Sequence, residues 1–295
     1  MKKYLIIILL LLFVIIILLN NQKFIYYEKF KNNKRCLLLL YGHSFREGNQ
    51  GTLTVDTEFS YKTQKAATES HINFIKYLKE KYDIDTDIII NTYNTKYEDE
   101  FKSWYGNNLI LHNTNKELIG FNNLVNNIIK KFTSEYNINN YDFVLLTRCD
   151  IYLKPEFNNL INANWKKIMF VSQDWTYCGY IDKGEPRVNP TIKFIPYKYF
   201  SIFNKNISVD HDGWYYYKNN HNLTNEDLDF MLDTYHDSDS YKDFNPVYYM
   251  ACRPENQIWH DKGLKIDKSR FGNPNNLVCN NTPDSSKDIH IQHNI

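Results

Sequence analysis

Hydrophobic positions along the chain change period several times, and the changes lay out alternating strands and helices. Cys36–Tyr41 is an unbroken apolar run ending at Gly42, the pattern of a strand buried on both faces. From Thr63 to Tyr82 the apolar positions fall at helical spacing, with Ala67, His71, Phe74, Ile75, Leu78 and Tyr82 on one stripe. Asp87–Thr92 reads as a second strand and Leu109–Leu111 as a short third. A second amphipathic helix is predicted over Lys116–Tyr136, with Leu118, Phe121, Val125, Ile128, Ile129, Phe132 and Tyr136 facing inward. Phe143–Thr147 and Ile168–Val171 are further strands. Strands that alternate with helices predict an α/β fold with a mostly parallel central sheet flanked by helices. No internal repeat or low-complexity linker divides it, so residues 36–295 are expected to form one domain ending in an irregular tail.

Ahead of that domain, Tyr4–Leu19 is apolar throughout and follows Lys2 and Lys3. At about 1.5 Å per residue the run reaches roughly 24 Å, the short end of a membrane span. The residues after it, Asn20, Asn21, Gln22 and Lys23, lack a small-x-small cleavage site. The expectation is an uncleaved signal anchor over 4–19, a short tail at 1–3 and a polar, aromatic stem over 20–35. The alternative is a cleaved signal peptide. Orientation is contested. Lys23, Lys29, Lys31, Lys34 and Arg35 would hold that flank in the cytoplasm by the positive-inside rule. Sequons at Asn206, Asn222 and Asn280 point instead to a glycoprotein in a lumen. With 38 asparagines in the chain, about four sequons arise by chance, so they decide nothing. The working expectation is a single-pass type II protein with its domain in an ER- or Golgi-type lumen or, if viral, at a host membrane.

Composition removes several classes. Lys and Arg total 35 against 34 Asp and Glu, which leaves no basic field for a nucleic-acid partner. With 43% hydrophobic and 16% aromatic residues, the chain can build a core and is not a disordered solvating segment. Five cysteines with no Cys-x-x-Cys pair exclude zinc-finger spacings and a disulfide scaffold. Cys178 and Cys252 could pair in an oxidising lumen.

In parallel sheets ligands bind beyond the carboxyl ends of the strands. Two loops qualify, Gly42–Gly51 and Arg148–Pro155. In the first, Gly42-His43-Ser44 has the start of a nucleophile elbow, but Arg46 stands where the last glycine belongs. The Gly-Lys-Ser/Thr of a P-loop is missing. What remains is a nucleotide-binding loop, with Gly42 allowing close approach and Arg46 meeting a phosphate or base, or an ordinary turn. The second loop closes a buried strand with Arg148-Cys149-Asp150. A carboxylate there can hold Mn²⁺ or Mg²⁺ against a diphosphate, and Arg148 can grip phosphate through two N–H groups. The bland alternative is an Arg148–Asp150 ion pair closing the strand. Asp174, after the strand ending at Val171, is a further candidate for contacting sugar hydroxyls. Trp175, Trp214 and Tyr215–Tyr217 could stack on sugar faces or simply pack.

Tyr141-Asp142-Phe143 leading through a strand to Arg148-x-Asp150, after an opening strand with Gly42 and Arg46, resembles the Arg-x-Asp group of glycosyltransferase-like proteins with the GT-A fold. The resemblance covers most of residues 36–260 as short motifs in the right order. It implies a nucleotide-sugar donor, a glycan or glycoprotein acceptor and a divalent metal. Arg148 replaces the first aspartate of the usual metal motif, which puts the metal in doubt. By the same resemblance, Gly213 in Asp212-Gly213-Trp214 stands for a glycine loop at the donor. Glu226 and Asp227 stand for an acidic pair, Asp227 as catalytic base. His260 stands for a late histidine on the metal, with His290 and His293 as rivals.

The acidic pair also has a plain structural reading. Thr224 and Asp227 have capping-box spacing, and Leu228, Met231, Leu232 and Tyr235 would follow as the stripe of a helix. His260 beside Trp259 could be an ordinary half-buried histidine. Two other functions compete: a non-catalytic, membrane-anchored glycan-binding or surface protein of the same fold, and a sulfotransferase. The second would need a phosphosulfate loop that Gly42–Gly48 does not supply.

Overall fold

The computed structural model describes residues 34–47, 54–153, 155, 157–158, 165–171, 188, 191–231 and 251–252. The anchor and most of the stem (4–33), Asp174, Trp175, Cys178, His260, His290, His293 and Asn280 lie outside these residues. Among the described residues no helix is long and apolar enough to cross a membrane.

The elements follow the expected alternation. They are β1 (Arg35–Gly42), β2 (Arg46–Glu47), β3 (Thr54–Val55), α1 (Glu58–Tyr82), β4 (Asp85–Tyr93), α2 (Glu98–Tyr105), β5 (Leu109–Asn115) and α3 (Phe121–Glu135). Then come β6 (Phe143–Arg148), β7 (Tyr152–Leu153), β8 (Ile168–Phe170), β9 (Ile192–Pro196), a 3₁₀ segment (Tyr197–Asn204), α4 (Gly213–His221), β10 (Leu228–Phe230) and β11 (Ala251–Cys252). Seven strands form the main sheet in the order β10-β8-β9-β6-β1-β4-β5. Its strands run parallel except β9, which is antiparallel to both β6 and β8.

β1 sits in the middle and alternates between two cores. Cys36, Leu38 and Leu40 pack with Phe74, Leu78 and Phe101 of α1 and α2. Leu37, Leu39 and Tyr41 pack on the other face with Val125, Ile128 and Phe132 of α3 and with Tyr217 of α4. That two-sided burial is why the sequence here is a continuous apolar run. From β1 the chain first moves outward through α1 to β4 and through α2 to β5. It then returns through α3 to β6, on the other flank of β1. Right-handed crossovers require the returning helix to lie on the opposite face, as α3 does. The direction of winding therefore reverses between β1 and β6, where a crevice opens beyond their carboxyl ends.

Several expectations need correction. The first helix begins at Glu58, because the Thr57 hydroxyl accepts the Ser60 N–H at 3.0 Å and caps it. The second begins only at Phe121, since β5 runs on to Asn115, and Leu118 is 79% exposed rather than inward. Tyr136 ends that helix and is exposed, its ring stacked on Phe132 at 5.1 Å. Among the described residues no α-helix follows Thr224. The capping box forms, but it closes a 3₁₀ turn over Asn225–Asp227, and Leu228–Phe230 then pairs in parallel with Ile168–Phe170. The open edge of β8 competes for this segment and wins over its local helical period. Strand β9 and helix α2 were not anticipated; Lys193 in the middle of β9 interrupts its apolar pattern.

Candidate functional site

Beyond the carboxyl end of β1 the chain makes two unusual backbone turns. Gly42 has φ 105°, which a side chain would strain, and it lets the loop leave the strand beside Phe121 and Arg148. Phe45 has φ 47° without being glycine. Its ring is fully buried among Tyr61, Tyr97, Phe101 and Trp104, with centroids 5.1–6.1 Å away. Packing on this scale can hold a strained residue, and strain of this kind gathers at binding sites. Its consequence here is to turn Arg46 back over the sheet.

The loop after β6 comes up to meet it. The Cys149 N–H donates to the Tyr41 carbonyl at 2.9 Å, extending the β1–β6 pairing by one step. The buried Gln64 of α1 ties the two loops together. Its amide oxygen accepts the Phe45 N–H at 3.2 Å, and its amide nitrogen donates to the Cys149 carbonyl at 2.8 Å. His71, one further step along the same helical stripe, donates from Nε2 to the Ile151 carbonyl at 2.7 Å. Its Nδ1 then accepts from the Tyr105 hydroxyl at 2.8 Å. Burial drives His71 down to about 4, so it stays neutral in this role.

Thus fixed, the loops bring two arginines onto one carboxylate. Arg46 Nε donates to Asp150 Oδ2 at 2.7 Å. Arg148 donates through Nε to Oδ1 at 2.9 Å and through Nη2 to Oδ2 at 2.6 Å. The side chains are 11%, 19% and 8% exposed for Arg46, Arg148 and Asp150, so water screens the cluster little. Burial works against the Arg148 charge, and the neighbouring Asp150 carboxylate overcomes it, raising the guanidinium further. Phe121 lies under Arg148, with the guanidinium carbon 5.7 Å from the ring centroid. His43 stacks on Tyr93 at 4.3 Å between ring centroids. Burial, then the nearby Arg46, pulls His43 down to about 4, with Asp150 opposing.

A second polar group shares this edge of the sheet on the α3 side. Asn122 donates to Asp210 and accepts the Val209 N–H at 2.6 Å, which seats the loop before α4 on the start of α3. Tyr41 feels both this loop and the arginine cluster. Burial raises its hydroxyl, Arg148 opposes that, and Asp150 and Asp210 add to it. Lys193, 1% exposed, is pulled down to about 7 by burial, with Asp210 and Asp212 partly restoring it.

The structure therefore joins four of the expected site residues: Gly42, Arg46, Arg148 and Asp150. Gly213 reaches the same edge, but its role there is packing. A Cβ on it would meet Phe170 and Val188 at 3.1 Å, so glycine lets α4 approach the sheet closely. Glu226 and Asp227 are not brought to the cluster. They precede β10, which runs parallel to β8, and so stand at the amino end of an edge strand, whereas Asp150 follows the carboxyl end of the central β6. Glu226 is exposed. Asp227 accepts the Thr224 N–H at 2.9 Å and the Tyr199 hydroxyl at 2.8 Å. These bonds, Thr224 first, lower it to about 2, the reverse of what a general base needs. The residues that sequence reasoning passed over are Gln64, Lys193 and Phe121. Gln64 lies on the buried stripe of α1, and Lys193 is a lone charge inside an apolar strand.

Of the two residues expected to hold a metal ion, Asp150 lies in the cluster and His260 is outside the described residues. Among the described residues no three His, Cys, Asp or Glu side chains gather to hold one. Both oxygens of Asp150 already accept guanidinium N–H groups.

No family model and no curated protein matches the chain. Among solved structures it is similar to a Desulfovibrio desulfuricans G20 protein provisionally assigned as a nucleotide-diphospho-sugar transferase. That match has 13% identity and a TM-score of 0.40, and covers 80% of this chain and 100% of the other. A cytidylyltransferase of Leptospira borgpetersenii matches at 11% identity and a TM-score of 0.38, over 80% of this chain and 98% of its own. The catalytic domain of Drosophila β1,4-galactosyltransferase 7 matches at 10% and 0.36, over 68% and 67%. Likeness at this level identifies neither family nor activity.

Proposed function

We propose that the chain is a glycosyltransferase that takes a sugar from a nucleotide-diphosphate donor and passes it to a glycan or glycoprotein hydroxyl. One observation carries the reading. Two largely buried guanidiniums converge beside a single carboxylate, in the crevice where the winding of the sheet reverses. These three side chains alone carry an excess of one positive charge. Arginine forks match phosphate oxygens, and the aromatic walls of Phe121, His43 and Tyr93 suit a flat ring or a sugar face.

In the reaction, the acceptor oxygen bonds to the anomeric carbon as that carbon's bond to the distal phosphate oxygen breaks. The nucleoside diphosphate leaves with the electron pair, and its new charge develops against Arg46 and Arg148. If the centre inverts, the hydroxyl proton passes to a carboxylate of the same edge, Asp210 or Asp212, rather than to Asp227. Residues 4–19 would anchor the enzyme at a membrane where such acceptors pass. The support for that is the length of the apolar run and the lysines before it.

The test is turnover. The full chain is incubated with UDP-, GDP- and ADP-sugars and a panel of acceptor glycans, and released nucleotide is measured. Release above the protein-free control, lost in Arg148→Ala, supports the enzyme. A folded chain that binds glycans and releases no nucleotide favours the non-catalytic binding protein, to which the distance of Asp227 and Glu226 from the cluster lends support.

A further inference from the structure

We infer that the site handles its diphosphate without a divalent metal, Arg46 and Arg148 supplying the positive charge and Asp150 acting as an internal counter-ion that positions them. The inference rests on the nucleotide-sugar reading and specifies how the donor is held.

Three observations carry it. First, both oxygens of Asp150 already accept guanidinium N–H groups. Oδ1 takes Arg148 Nε at 2.9 Å, and Oδ2 takes Arg46 Nε at 2.7 Å and Arg148 Nη2 at 2.6 Å. A Mg²⁺ ion on either oxygen, at about 2.0–2.1 Å, would lie directly against a guanidinium in a site that water screens little, and the two cations would repel. Second, among the described residues no group of three metal-binding side chains forms. Third, two guanidiniums already face the one carboxylate a cation would need, which leaves it little attraction for a dication. Burial first, then Arg46 and Arg148, push His43 toward its neutral form, with Asp150 opposing.

The same geometry is open to an anion. Arg46 uses only Nε on Asp150, and among the described residues no hydrogen bond occupies its two terminal NH₂ groups. Arg148 is steadied from below by Phe121. Asp150 thus fixes both forks before the donor arrives, which lowers the ordering cost of binding. As the diphosphate departs with its electron pair, the charge is met by two preset guanidiniums, the task a metal performs elsewhere.

Calorimetry on the full chain tests this, with UDP, GDP, ADP and CDP titrated first in EDTA and then in Mn²⁺. The expected result is that at least one nucleotide binds with affinities agreeing within about threefold between the two buffers. Arg46→Gln should weaken it at least about tenfold in both, the value of a charge-assisted hydrogen bond. Asp150→Asn, shown folded by circular dichroism, should weaken binding by the same factor with and without Mn²⁺, since the carboxylate positions the arginines and holds no metal. Binding that appears only with Mn²⁺, or that Asp150→Asn abolishes in Mn²⁺ alone, overturns the inference and leaves the transferase reading standing. Binding of none of the four in either buffer, by folded protein, removes the nucleotide-sugar reading itself. If Asp150→Asn does not fold, the EDTA and Mn²⁺ titrations of the unaltered chain decide alone.

Discussion

At the amino end of β1, Arg35 pairs with Asp87, whose carboxylate also accepts the Tyr141 hydroxyl at 2.6 Å. The Arg35 N–H donates to Asp142 at 2.8 Å. Just past the other end of the same strand, Arg46 and Arg148 meet at Asp150. Both clusters use arginine, aspartate and an aromatic ring, yet their balance differs. The amino cluster sets one arginine against two aspartates, and its Arg35 side chain is 42% exposed. The carboxyl cluster sets two arginines against one aspartate, with side chains at most 19% exposed. Exposed pairs of the first kind contribute little to stability. A buried excess of cation, by contrast, costs folding energy unless an anion arrives, and that cost marks a site.

The largest expected effect separates the clusters outright. Arg148→Ala should weaken nucleoside diphosphate binding by roughly 30- to 150-fold, about 2–3 kcal/mol for a charge-assisted fork. Arg35→Ala should leave binding unchanged and cost less than about 1 kcal/mol in stability. Calorimetry and urea unfolding measure the two, and equal losses of binding would erase the distinction drawn here.

A second difference is in pH. The Ile151 carbonyl beside the carboxyl cluster is held by neutral His71, whose folded-state value of about 4 lies below its ordinary 6.5. The unfolded chain therefore takes up this proton first. The stabilisation is complete above pH 6.5 and is lost as pH falls toward 4, to a limit on the order of 3 kcal/mol. His43, also near 4, adds in the same window. Urea midpoints across that range should fall, and fall less steeply in His71→Gln. A flat profile would mean that His71 protonates inside the fold.

The smallest effect returns to the amino edge. Asp227→Asn should cost about 1 kcal/mol, as a lost cap does, and leave nucleotide binding and turnover intact. Turnover lost with binding preserved would restore Asp227 as the base and require the edges to communicate.

Legibility from sequence followed range. The strands β1, β4 and β6 and the stripe of α1 could be read because burial on one or two faces imposes a local period. The pairing of Arg148 with Asp150 was legible too, two residues apart in an extended chain. Arg46 reaching Asp150 was not, because that contact spans 104 residues and depends on the left-handed turn at Phe45 and the Gln64 clamp.

Residues 224–231 show the converse. Their spacing fits a capped helix, and the cap does form, but the unpaired edge of β8 draws Leu228–Phe230 into the sheet. Backbone hydrogen bonding along that edge outweighs a helical preference worth tenths of a kcal/mol per residue. The sequence by itself determined the α/β alternation, the central buried strand and the two loops able to bind an anion, because each is written in neighbouring residues. Only the tertiary structure decided which charges share an edge and which face away. That depends on strand order and direction, through contacts between residues far apart in the chain.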